Sequence, residues 1–113
     1  MDDLIFPTLQ GLFNGRVYPA VLPDDPVYPA LVYQYVGNSE EDFVNGGGLI
    51  ERFRIQFKIY AKEYDQCYAL RLPTMLALRE LNEFIEQFID LNDYEPETRL
   101  HVWVLDLAFR RPQ

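Results

Sequence analysis

Near the middle of the chain, Arg52-Phe53-Arg54-Ile55-Gln56-Phe57-Lys58-Ile59-Tyr60 sets large apolar side chains at 53, 55, 57 and 59 against polar ones at 52, 54, 56 and 58. A period of two puts the apolar set on one face of a β-strand and the polar set on the other. The alternation calls for a half-buried sheet with one covered face and one polar face. The remainder of the chain must supply the cover. It has 113 residues, 49% of them apolar and 15% aromatic. A chain of that length buries roughly two-thirds of its unfolded surface. The composition argues against disorder and fits a single domain over residues 1–113.

Ten basic and eighteen acidic side chains leave a formal net charge of -8. That sign opposes specific nucleic-acid binding, which needs cations to displace counterions from phosphates, and it opposes an anionic membrane surface. Basic residues still cluster at Arg52, Arg54 and Lys58 and at Arg110 and Arg111. These clusters read either as a solvated strand face and a frayed end, or as sites that pair with acidic segments of a partner. Cys67 is the single cysteine, so no internal disulfide forms, and a reducing compartment is expected. It reads as a small buried apolar residue on a helix. Met1-Asp2-Asp3 carries no cleavable signal pattern, and no apolar run approaches the ~18 residues of a membrane span.

Ile5, Leu9, Leu12 and Phe13 form a helical stripe, with the regular helix expected to start at or just before Pro7 and to stop at Asn14-Gly15. Arg16 to Pro19 reads as a short extended segment. Pro19, Pro23, Pro26 and Pro29 then make a stiff surface connection around Asp24-Asp25, a turn pair rather than a metal site. Leu31 to Val36 reads as a strand. Residues 37–48 read as a long acidic hairpin loop. Its Gly46-Gly47-Gly48 lacks the Gly-Lys-Ser/Thr ending and the following helix of a phosphate cradle. Phe43 and Val44, apolar in this acidic loop, suggest a segment that orders on a partner.

Leu49 to Ala61 reads as the central strand. At ~3.3 Å per residue it would run ~40 Å, well past the usual ~17–20 Å, and project beyond its own core. Tyr64 to Glu83 reads as a helix with Cys67, Leu70, Thr74, Ala77, Leu78 and Leu81 on one stripe, kinked or divided at Pro73. Residues 84–91 fit either a continued helix or an edge strand, and the next segment's need for a partner favours the strand. A turn is expected at Asp93 to Glu97, then a last strand from Leu100 to Phe109. In that strand Trp103, Leu105, Leu107 and Phe109 are expected inside, and Asp106 and Arg110 in water. The order α-β-β-β-α-(β)-β predicts an α+β domain, an antiparallel sheet of about four strands with two helices on one face.

Chemistry is sparse. His101 is the single histidine and reads as a strand-edge residue; nothing around it or Cys67 marks a nucleophile and base. Two potential Cys or His ligands fall short of a zinc set. No catalytic, cofactor-binding or metal residue is assigned. A small α+β ligand-binding module, with a pocket between sheet and helices, stands as the reading from a different class.

Several segments in order resemble a known family. They are Gly15-Arg16-Val17-Tyr18-Pro19, Pro29-Ala30-Leu31-Val32-Tyr33-Gln34, Phe53 to Ala61, a helix around Ala69 to Leu81, Asp93 to Leu100, and Leu105-Asp106-Leu107-Ala108-Phe109. The series, about Leu4 to Phe109, is similar to the tail-completion (tail-terminator) proteins of long-tailed bacteriophages and prophages. Pro73 departs from the usual pattern of the main helix. The resemblance implies a non-enzymatic subunit of a homo-oligomeric ring, usually a hexamer. Such a ring caps the tail-tube protein and joins it to the head-completion protein. A related head–tail connector or minor tail protein is the nearest alternative. The resemblance further implies no cofactor, no small-molecule substrate and no membrane, with a place in the virion tail after assembly in the bacterial host cytoplasm. Phe43, Val44, Arg52, Arg54 and Lys58 are the candidate partner-contact residues.

Overall fold

Ile55, Phe57 and Ile59 are fully buried, Gln56 and Lys58 between them are half-buried, and Arg52 and Arg54 before them are exposed, following the period of two. The computed structural model describes residues 1–36, 40–43 and 49–112. In chain order its elements are α1 (Asp2–Leu9), β1 (Val17–Pro19), β2 (Ala30–Tyr35), β3 (Glu40–Phe43), β4 (Leu49–Ala61), α2 (Tyr64–Arg79), β5 (Phe84–Glu95) and β6 (Leu100–Pro112). The class is α+β. All six strands join one sheet in the order β1-β2-β4-β6-β5, with β3 paired to β4 off that path.

The sheet is mixed rather than wholly antiparallel, and it has more strands than expected. β1 runs parallel to β2. Residues 20–29 make this possible: they carry the chain back to the start of β2, and Leu22 and Tyr28 pack down as they cross. Within the stretch expected to be a hairpin loop, Glu40–Phe43 forms β3, antiparallel to β4 with Glu40 opposite Arg52 and Phe43 opposite Leu49. The long, β-rich arm of β4 offers backbone partners to whatever returns alongside it. β4 itself has the expected bounds, and the molecule is elongated, 50 × 25 × 24 Å.

Both helices lie on one face. Ile5, Leu9 and Phe13, with Cys67 and Leu78, meet Leu31, Phe57, Leu105 and their neighbours in the main core. α1 begins at Asp2, earlier than expected, and runs through Pro7. Pro7 lies on the exposed side, so the one lost backbone bond falls toward water, and Asp2 and Asp3 suit the helix N-terminus. Asn14 (φ 51°) and Gly15 (φ 80°) are both left-handed where the chain turns toward β1. α2 ends at Arg79, short of Glu83, and continues as one element through exposed Pro73.

Residues 84–91 are strand, and β5 continues to Glu95, so the turn falls at 96–99 rather than at Asp93 to Glu97. Asp93, Tyr94 and Glu95 pair with Val102, His101 and Leu100; Pro96, lacking an N–H, follows the last pair. The opposite sheet face is less polar than the alternation implied. Val32, Tyr60, Leu100, Val102 and Val104 form a second cluster there, covered in part by Leu22 and Tyr28. Among the described residues, the part of that face around Arg54 and Phe88 is open.

Candidate partner-binding face

On the helix-free face, Arg54 Nε and Nη2 donate to the two carboxylate oxygens of Asp106, at 2.9 and 3.1 Å. The sequence reading put Asp106 in water, but it is 2% exposed. Along β6 residues 102–107 are all buried, because Arg54 covers Asp106 and the second cluster covers Val102 and Val104 on the helix-free face, so alternation no longer separates core from solvent. The Arg54 guanidinium also lies 4.4 Å from the centre of the Phe88 ring. Phe88 reaches that position because β5 slips register between Gln87 and Ile89. Hydrogen bonding from Asp106 raises the Arg54 pKa further, so the cation is fixed.

Neighbouring positions extend the cationic character. Arg52 stands opposite Arg110 on one side and Glu40 on the other. Lys58 lies opposite Val32 and Val104. Of the candidate contact residues, the structure therefore brings Arg52, Arg54 and Lys58 onto one sheet face. Phe43 stands in β3 opposite Leu49, and Val44 lies outside the described residues.

On the other face, Asp90 ties β5 to α2. Its carboxylate accepts from Trp103 Nε1 at 2.6 Å and from Arg71 Nη1 at 2.7 Å. Tyr64 and Tyr68 stack on each other and lean on Trp103. With Leu72 and Leu76 they form an exposed apolar stripe on α2. Of the expected α2 stripe, Cys67, Thr74 and Leu78 are buried, Leu70 and Ala77 are half-buried and Leu81 lies past the helix end, while buried Met75 was missed, as was this second stripe, which the spacing 64, 68, 72, 76 announces.

The residues weighed for chemistry have different partners. The Cys67 thiol is buried, donates to the Ile59 carbonyl at 3.3 Å, and is pushed up to about 11 by burial. His101 instead packs against the rings of Tyr64 and Tyr94. Asp24 and Asp25 are exposed, and no cluster of metal-ligating side chains occurs among the described residues. No helix among the described residues is long and apolar enough to cross a membrane. The arrangement offers contact surfaces, one cationic around Phe88 and one aromatic along α2.

A family model described as tail completion protein gp17 matches residues 6–110. No curated protein matches the chain. Among solved structures, a chain from the virion of a native gene transfer agent (GTA) particle aligns with a TM-score of 0.59 at 14% identity. The alignment covers 100% of this chain and 95% of that one, which makes the fold common to both. The family match runs through both helices and the sheet, and the chain belongs to the tail completion protein gp17 family, as a structural protein of a phage tail.

Proposed function

We propose that the protein is the tail-terminator subunit of a phage or prophage. Copies assemble into a ring, most simply a hexamer, that caps the finished tail tube and presents the surface to which the head-completion protein binds. The family match over residues 6–110 carries this reading. The elongated shape supports it, since β4 extends past the helix-covered core and offers a scaffold that neighbours complete. The work is done by shape and contact, without catalysis or cofactor. Phe43, Val44, Arg52, Arg54 and Lys58 make contacts to partners. The net charge of -8 lets DNA pass without sticking, because like charges repel. The protein assembles in the host cytoplasm and ends in the virion tail.

Electron microscopy of the purified protein, alone at high concentration and mixed with tail-tube protein, tests the proposal. Rings of uniform size, seated at one end of the tube, are expected. A protein that stays monomeric and leaves tube ends bare under both conditions would rule it out.

A further inference from the structure

Two apolar surfaces lack cover among the described residues, and they lie on opposite sides of the sheet layer. One is the α2 stripe, where Tyr64, Tyr68, Leu72 and Leu76 are 42% to 53% exposed. The other surrounds Phe88 and Leu91 on the helix-free face, where the second core cluster leaves off. A sheet covered by helices on one face alone is half a sandwich, and a helix stripe is the natural second layer. The charges match as well. Glu63 and Asp65 are exposed at the start of α2. Arg54, Lys58 and Arg110 lie on the helix-free face, and among the described residues Lys58 and Arg110 make no ion pair. The two surfaces differ from each other, so they suit a head-to-tail contact, the kind that closes into rings.

We infer that copies of this chain join head to tail, with the α2 stripe of one seated on the sheet face around Phe88 of the next. This rests on the ring reading and names the joint within it. Tyrosine-rich apolar stripes opposite an arginine-flanked aromatic have the composition of interface hot spots. Glu63 and Asp65 meet the neighbour's cations at the rim, where they set register and salt sensitivity more than affinity.

Two variants test the joint by analytical ultracentrifugation of the full chain, alone and with tail-tube protein. Tyr68→Lys with Leu72→Lys spoils the stripe; Phe88→Lys spoils the sheet face. Each alone should stay monomeric, with self-association weakened by about 30-fold or more and a melting temperature near wild type. Mixed together they should form a dimer and stop, because one intact stripe still meets one intact sheet face. Should either lysine variant unfold, Leu72→Asn and Phe88→Ser replace them, with the same expectations. Wild-type-like rings from either variant, or a mixture that stays monomeric while wild type makes rings, would overturn the joint and leave the ring reading standing. A wild-type protein that never associates, with or without the tube, would overturn both.

Discussion

Arg54 and Asp106 form a two-pronged ion pair whose halves have unequal surroundings: the arginine side chain is 46% exposed and the aspartate side chain 3%. Removing either partner therefore has different consequences. Arg54→Ala strands a carboxylate inside the protein, whereas Asp106→Asn leaves an arginine that water can solvate. Arg54→Ala should lower the melting temperature clearly more than Asp106→Asn does. Thermal melts of both variants at neutral pH check the order.

Asp3 and Arg111 tie the start of α1 to the end of β6, with Arg111 Nη1 and Nη2 donating to the Asp3 carboxylate at 2.8 and 2.7 Å. That hydrogen bonding holds the Asp3 carboxyl well below its ordinary value of 3.8. An acid with a depressed folded-state pKa adds stability above its unfolded value and loses it as pH falls through the folded one. The wild-type advantage over Asp3→Asn should thus be full at pH 7 and fade as pH drops below 3.8. Asp3 is exposed, so the gap should be small and should narrow in high salt. Denaturant titrations across pH and ionic strength measure it.

Thr74 is fully buried, and its hydroxyl has no hydrogen-bond partner among the described residues. Its place on the apolar stripe of α2 was evident from spacing, yet a hydroxyl there is a liability. Thr74→Val keeps the branched shape and removes the unpaired polar atom. It should raise stability by about 1 kcal/mol, seen as a higher urea midpoint with unchanged slope.

The Cys67 thiol sits in the core with its pKa pushed up to about 11, chiefly by burial. At pH 8 it is protonated and shielded, so the native protein should react with a thiol reagent only as fast as it opens. Rapid labelling should appear once denaturant passes the unfolding midpoint. Fast stoichiometric labelling of the folded protein would contradict the packing of α2 on β4.

What could be read from sequence follows the range of the interactions involved. β4 was legible because the alternation over residues 52–59 reports one covered face, and local pattern suffices for that. The buried stripe of α2 was legible for the same reason, at the helical period. Asp106 was not, because its burial depends on the Arg54 side chain, far from it in sequence. Phe88 was hidden by a register slip that no alternation pattern encodes. β1 pairing parallel to β2 depends on how residues 20–29 cross, which prolines suggest but do not fix. Tail-completion membership was legible through ordered segments spread along the chain, and the family match spans them.

The candidate contact residues on the sheet face separate into two kinds, and substitution should reveal it. Arg54 holds Asp106 in place, so Arg54→Glu sets a second carboxylate beside a buried one and should damage folding itself. Lys58 makes no ion pair among the described residues, and its neighbours across the strands are Val32 and Val104. Lys58→Glu should change stability by only about 0.5 kcal/mol, yet it reverses charge on the face proposed to meet a partner. Measured side by side, Arg54→Glu should fail in thermal melts and in tail assembly alike. Lys58→Glu should melt like wild type and still join tails poorly. Normal tail joining by Lys58→Glu would remove Lys58 from the contact surface and leave the ion pair as the main reason for basic residues on this strand.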